Sequence, residues 1–509
     1  MLKKVVVIGA GFAGLAAACC LAKDGFAVTV LEKNDCLGGR ARKFEAEGFV
    51  FDMGPSWYWM PDVFEQFFAH FGRKVSDYYQ LVRLDPSYQV FFKESETPSP
   101  PRFSETSETH QAATQIPAQM ADLEKLFETI EPGSAANLRK FLAEAEYKYR
   151  VGMGEFVHKP SHSIWEFADW RVLASLLRLQ MFTPMSRHVR QLFKSEKLIQ
   201  LLEFPVLFLG ATPQKTPALY SLMNYADMAL GTWYPMGGMF KIVEGMASLA
   251  RELGVEIKPN QEVAQLETAN GKVAAAITTD GTRYTADAFV GGADYHHIET
   301  KWLSAADRNY SDAYWQSRTM APSCLLWYVG VNKRIEGLRH HNLFFDEDFG
   351  LHAEEIYTTP RWPTRPLFYV SAPSVTDPSV APPGCENLFM LIPVAPGLDT
   401  AGQAEIRGRY FDVVLARLER RTGQSIRPHI VYQRSYAHTD FVQDYHAFRG
   451  NAYGLANTLL QTAFLKPKMK NRHLSNLWYT GQLTVPGPGV PPSLISGQVV
   501  ANEVRRFMG

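Results

Sequence analysis

Cysteine is scarce in this 509-residue chain: only Cys19, Cys20, Cys36, Cys324 and Cys385 occur. An odd count, at spacings that match no zinc or redox motif, argues against a disulfide framework and for a reducing, cytoplasmic setting. Net charge is lacking too, because 52 lysines and arginines balance 52 aspartates and glutamates. A balance without basic excess argues against a phosphate-driven nucleic-acid binder, though a local basic patch is compatible with it. No run of about 18 uncharged apolar residues exists, so no spanning helix is expected. The nearest candidate, 198–211, is interrupted by Gln200, Glu203 and Pro205. The opening MLKKVVVIGAGFAG has no cleavage site and runs straight into a glycine motif, so no secretory leader is expected. His296-His297 and His340-His341 lack the partners of a recognisable site, and no metal is predicted.

Apolar mass, by contrast, is plentiful: 46% of residues are hydrophobic and 13% aromatic, against 20% charged. That suits a large core and also a long apolar cavity. Residues 5–8 are an apolar β-branched run, 12–24 an alanine-rich helix and 27–31 a second strand. This βαβ unit predicts an α/β fold with a doubly wound parallel sheet. The stretch 94–117 is rich in Ser, Thr, Glu and Pro and reads as a solvated, mobile insertion. Leu123, Leu126, Phe127 and Ile130 open a helical region that runs to about 234. A helix is expected over 238–253, with strands at 255–257 and 262–268. Residues 272–278, 283–285 and 288–290 read as hairpin-like strands around Asp280-Gly281. Residues 300–435 mix strands and prolines, and the tail returns to a strand at 477–480 and a helix over 491–507. The expected organisation is therefore discontinuous. Segments 1–90, 235–299 and 441–509 build one domain, and 91–234 with 300–440 build a second.

The sharpest motif is Gly9-Ala10-Gly11-Phe12-Ala13-Gly14, between a predicted strand and a predicted helix. There Gly9 permits the tight turn, Gly11 lets the backbone approach a pyrophosphate and Gly14 allows close helix–strand packing. The helix N-terminus adds free N–H groups and the positive end of its dipole. Glu32 closes the next strand, where a carboxylate can accept both ribose hydroxyls of an adenosine. A dinucleotide site follows.

Beyond Glu32 comes Gly38-Gly39-Arg40-Ala41, then Phe51-Asp52-Met53-Gly54-Pro55-Ser56-Trp57. Pro235-Met236-Gly237-Gly238-Met239 and Gly292-Ala293-Asp294 lie mid-chain. Near the end stands Gly481-Gln482-Leu483-Thr484-Val485-Pro486-Gly487-Pro488-Gly489-Val490-Pro491-Pro492-Ser493. Over most of its length the chain resembles the flavoproteins of the amine oxidase superfamily, in particular bacterial phytoene desaturases. The insertion at 94–117 departs from that pattern. The resemblance implies a Rossmann-like FAD-binding domain carrying an inserted mixed α+β substrate domain. It also implies that FAD meets Gly39 and Arg40, then Gly54, Pro55 and Ser56, then Val263. In the tail it implies Gly481, Gln482, Gly489, Val490 and Ser493, with N–H groups and dipole of the last helix set against the flavin. Gln482 stands where many relatives carry an acid. With no cysteine after Cys385, FAD is expected to be noncovalent.

The implied activity is desaturation of a long carotenoid precursor, phytoene to lycopene as the leading case, with hydride passing to flavin N5 and a proton lost. The alternatives are a carotenoid isomerase and an amine oxidase. Allylic activation forces no strong base, so no catalytic side chain is singled out. Glu144, Glu146, Lys148 and Arg150 read as a solvated helix face. The expected partners are an apolar polyene, oxygen or a quinone as electron acceptor, and a membrane surface met peripherally. The patch proposed for that contact is 165–209, with Trp165, Phe167, Trp170, Leu173, Leu176, Leu177, Met181 and Phe182 among Arg171, Arg178, Arg187 and Arg190.

Overall fold

The computed structural model describes residues 2–93, 113–163, 179–207, 210–458 and 461–509. Strand β1 (Lys4–Ile8), helix α1 (Phe12–Lys23) and strand β2 (Ala27–Leu31) form the expected βαβ unit. Helix α2 (Phe240–Glu252), strands β3 (Glu256–Lys258), β4 (Ala288–Gly291) and β5 (Leu477–Tyr479) and helix α3 (Val490–Met508) complete it from distant parts of the chain. The strands pair in parallel in the order β5-β4-β1-β2-β3. Helix α1 packs between α2 and α3 on one face of this sheet. Its alanines let the neighbours approach closely, and ten of its twelve residues are buried.

The opposite face is covered by a small antiparallel sheet of Val263–Ala269, Lys272–Thr278 and Arg283–Tyr284. The expected hairpin is thus shorter than the sequence suggests. The segment 288–290 leaves it and enters the parallel sheet as β4, between β1 and β5. Every residue of β4 is buried, the mark of a strand covered on both faces rather than one of a solvated hairpin.

A second, seven-stranded sheet is mostly antiparallel. Its centre is Ser323–Val331 beside Glu386–Val394, and both faces carry apolar cores. The helix Gln403–Thr422 covers one face. The other face looks toward the cavity described below. Strand Tyr88–Phe92 belongs to this sheet, pairing in parallel with His341–Phe345. The insertion is also shorter than expected. Residues 94–112 lie outside the described residues, but Thr114–Ile116 pairs with Tyr88–Val90 because Ile116 has a core place to fill. Residues 300–320 pack on the first sheet, not the second, with Trp302 and Trp315 buried beside β1 and β5.

Candidate active site

The turn after β1 is shaped by glycines. Gly9 has φ +100°, a conformation L side chains rarely adopt, and its N–H donates to Leu31 O at 2.7 Å. A Cβ on Gly14 would lie 2.0 Å from Gly9 O, whereas a Cβ on Gly11 would meet nothing within 4 Å. Gly14 is therefore needed for packing, and Gly11 leaves its side of the turn open to a ligand. Phe12 and Ala13 line the same space from the first turn of α1.

Glu32, at the end of β2, is buried. Its Oε2 accepts from Ala10 N at 2.7 Å, and its Oε1 accepts from Asn34 N at 2.9 Å and Asn34 Nδ2 at 3.0 Å. The carboxylate thus holds the glycine turn as well as presenting its remaining lone pairs to the cavity, a double duty the motif alone does not reveal. Gln261, Glu262 and Val263 line the cavity next to it.

Arg40 sits on the short 3₁₀ turn Gly39–Ala41, its guanidinium 5.2 Å from the Tyr445 ring centroid. In the amide orientation that offers the guanidinium an acceptor, Gln482 Oε1 lies 2.9 Å from Nη2 and 3.2 Å from Nη1. Arg40 Nε is buried without a hydrogen-bond partner among the described residues. Burial lowers the Arg40 pKa, while the nearby Asp294 carboxylate raises it. Asp294 is itself pushed up to about 6 by burial, with Arg40 pulling it back. A part-buried cation whose Nε is buried and unused, beside a glycine turn open at Gly11, fits the diphosphate of a dinucleotide. Gln482 in place of an acid leaves that cation less neutralised.

The C-terminal loop returns to the same place. Gly481 N donates to Ser496 Oγ at 3.0 Å, fixing the loop on α3. The first turn of α3 supplies fewer donors than expected. Pro491 and Pro492 have no N–H, and Ser493 N is spent on Gly489 O at 3.0 Å. Of that turn Val490 N is left as the donor, together with the helix dipole.

Asp52 is a positioning residue that sequence reasoning passes over. It accepts from Met239 N at 2.7 Å and Phe240 N at 2.9 Å, capping α2 and tying the Gly54-Pro55-Ser56 segment to the Gly237-Gly238 turn. Burial pushes its carboxyl up to about 6 and the two N–H groups pull it down. The acid is visible in the motif, but its partner lies 187 residues away.

One cavity of about 1070 Å³ contains all of these residues: Gly9, Gly11, Phe12, Ala13, Gly14, Glu32, Gly39, Arg40, Gly54, Pro55, Ser56, Val263, Gly481, Gln482, Gly489, Val490 and Ser493. Beyond Ser56 its lining becomes apolar and aromatic, with Trp57, Trp59, Met223, Leu326, Phe389 and Leu391. The carboxylates on its wall gather at the other end. Glu32 and Glu262 stand by the glycine turn, Asp294 by Arg40, and Asp444 pairs with Arg42 at 2.5 Å. Trp57 stacks on His341 with ring centroids 4.1 Å apart, and His341 Nδ1 is 2.6 Å from Tyr369 Oη. Trp59 Nε1 donates to Thr232 Oγ1 at 2.9 Å, and Thr232 donates to Asp227 at 3.1 Å. Burial pushes the Asp227 carboxyl up to about 7. Nothing in the local sequence around Trp57 and Trp59 announces these supports, because each comes from a remote segment.

Two further readings change. Lys148 is buried, not solvated, and its Nζ donates to Gln180 Oε1 at 2.8 Å, Ala218 O at 3.0 Å and Ser221 Oγ at 3.0 Å. Its neighbours Glu146 and Arg150 do form an outward ion pair at 2.6 Å. Of the proposed membrane patch, Trp165, Phe167, Trp170, Arg171, Leu173, Leu176, Leu177 and Arg178 lie outside the described residues. Helix Glu196–Leu207 is core, because its apolar residues fill the space under the second sheet. Phe182, 77% exposed, lies at the cavity wall beside Met181.

The model for "flavin containing amine oxidoreductase" matches residues 12–505. The chain belongs to this family. It is 41% identical to the carotenoid 3,4-desaturase of Haloarcula japonica, over 98% of this chain and 97% of that protein. It is 31% identical to the zeta-carotene-forming phytoene desaturase of Myxococcus xanthus, over 99% of this chain and 94% of the relative. Among solved structures, a putrescine oxidase variant superposes with TM-score 0.61 at 14% identity, over 99% of each chain, which speaks to the fold. The Rossmann-like domain is thus that of a flavoenzyme, and the chain is an FAD-dependent oxidoreductase.

Proposed function

We propose that this chain binds FAD noncovalently and desaturates a carotenoid. The observation that carries this reading is the single cavity, which joins a diphosphate-ready turn to an apolar, ring-lined half. When bound, FAD supplies the hydride acceptor at N5. The turn at Gly11, Arg40 and Glu32 anchors the cofactor, and Trp57, Leu326, Phe389 and Leu391 hold a hydrocarbon chain and keep water out. The carboxylates on the cavity wall lie at the dinucleotide end among the described residues, so none of them offers a counter-ion to a charged amine in the apolar half. Noncovalent binding is supported by Cys324, the one cysteine on the cavity wall among the described residues, whose thiol is pushed up to about 12 by burial and is a poor nucleophile.

Phytoene to lycopene is the first substrate reading. The 41% identity to a protein named carotenoid 3,4-desaturase favours a second, in which the same site oxidises a carotenoid already more unsaturated than phytoene. Incubating the FAD-loaded protein anaerobically with phytoene, and separately with lycopene, decides between them. Productive turnover bleaches the flavin and lowers product mass by two hydrogens per step. A shift in retention without loss of mass identifies an isomerase instead, and the absence of bleaching together with unchanged mass and retention of both polyenes overturns the carotenoid reading.

Re-oxidation is assigned to oxygen or a quinone. No helix among the described residues is long and apolar enough to cross a membrane. A water-insoluble substrate therefore calls for peripheral contact at a cytoplasmic membrane face, with exposed Phe182 at the cavity wall as one contact. The wild type is expected to float with anionic liposomes and Phe182→Glu to float markedly less while keeping its FAD. Equal flotation removes Phe182 from the contact.

A further inference from the structure

Lys466 is only 2% exposed, and its Nζ has no hydrogen-bond partner among the described residues. Asn457 Oδ1 is likewise buried and unpartnered. Both atoms crowd one glycine of the C-terminal loop. A Cβ on Gly487 (φ +135°) would lie 3.0 Å from Lys466 Nζ and 3.1 Å from Asn457 Oδ1. The loop on which Gly487 sits presents Val485, Pro486, Pro488 and Gly489 to the cavity. Lys466 is therefore packed directly behind a wall of the cavity, with no anion beside it among the described residues.

A buried lysine amine without a partner is costly to protonate, and perturbed groups of this kind gather where a charge is wanted. Burial alone lowers Lys466 to about 7, and no neighbouring charge enters its titration. The nearby Lys468 is turned away, its Nζ on the carbonyls of Ser161, His162 and Phe464. The opposite end of the loop explains why a charge is wanted. Negative charge that develops on a flavin is commonly met by helix N–H groups, yet Pro491 and Pro492 delete two donors from the first turn of α3.

We propose that Lys466 is the counter-charge for the reduced cofactor, standing in for the N–H donors that Pro491 and Pro492 remove. The proposal rests on the reading above that FAD occupies this cavity. Desaturation takes two hydrogens from adjacent carbons, one as hydride and one as a proton. The hydride adds one negative charge to the cofactor, the second hydrogen leaves to solvent, and Lys466 Nζ gains one proton, so the net charge behind the loop stays balanced. The equilibrium potential does not depend on the route that proton takes.

The test is a redox titration of the FAD-loaded protein, followed by flavin absorbance from about pH 6 to about pH 9. Wild type is expected to take up one more proton per two electrons than Lys466→Met over the part of this range above neutrality. Lys466→Arg, charged throughout, is expected to lose that extra proton yet keep a higher potential than Lys466→Met. Lys466→Gln serves as a second neutral variant. Equal potentials and equal pH slopes in wild type and the neutral variants overturn the proposal. So does failure of both neutral variants to load oxidised FAD, since a counter-charge for the reduced form leaves binding of the oxidised form intact. Placement of FAD itself is checked apart from Lys466: if Gly11→Val holds FAD as tightly as wild type, the cavity reading fails whatever the titration shows.

Discussion

Gly11→Val is expected to abolish FAD binding while leaving the apoprotein folded. A Cβ on Gly11 meets no protein atom within 4 Å, so a small branched side chain is expected to cost the apoprotein little. The space it enters is the one a pyrophosphate needs for backbone contact. Loss of that approach removes several charge-assisted hydrogen bonds, each worth about 1.5–3 kcal/mol, and affinity should fall by at least about 100-fold. Gly14→Val is the control with the opposite signature. Its Cβ falls 2.0 Å from Gly9 O, so the β1–α1 packing itself must give way and the apoprotein should melt far lower or not fold. Calorimetry of the apoproteins and FAD titration by fluorescence quenching separate the two. Full FAD occupancy in Gly11→Val would falsify the assignment of this turn.

Glu32→Ala should show a mixed loss. Two hydrogen bonds from ribose hydroxyls to a carboxylate are worth roughly 1.5–3 kcal/mol each, so FAD affinity should drop by about one to three orders of magnitude. The structure adds a second consequence. Glu32 also accepts from Ala10 N at 2.7 Å and Asn34 N at 2.9 Å, and the alanine variant leaves those donors without it. The unsatisfied buried donor of Ala10 costs about 1–3 kcal/mol, so the apoprotein should melt lower as well. Glu32→Gln, which keeps one acceptor oxygen, should fall between. An affinity within a factor of about two of wild type, in an apoprotein of unchanged melting temperature, means that Glu32 neither binds ribose nor holds the turn.

The parts of this protein written in local sequence are those whose cause is local. The glycine turn needs glycine because of its own backbone angle and the carbonyl one turn away, so Gly9 to Gly14 are legible in the sequence by themselves. The βαβ unit follows from an apolar β-branched run, an alanine-rich helix and a second such run. Strand β4 is misplaced by a sequence reading because a short apolar segment next to a hairpin looks like a third hairpin strand. Burial on both faces, which only the assembled sheet supplies, sends it between β1 and β5. The turn-holding role of Glu32 is hidden in the sequence because Ala10 N, 22 residues away, reaches its carboxylate only when β1 and β2 pair.

Lys148 and Lys466 carry the lesson for charge. By themselves they are ordinary lysines, and a lysine in a polar stretch reads as solvated. Tertiary packing buries both, finds three acceptors for one and none for the other, and so makes one a structural anchor and leaves the other an unpartnered amine behind the Gly487 loop. The cofactor class was determined by the sequence itself, since a diphosphate is bound by short-range backbone shape. The apolar lining and aromatic supports of the far half of the cavity were decided by tertiary structure alone. Leu326 and Leu391 face each other across paired strands of the second sheet, Phe389 stands on one of those strands, and Trp57 stacks on His341 of the same sheet, so that wall exists only once the sheet is assembled.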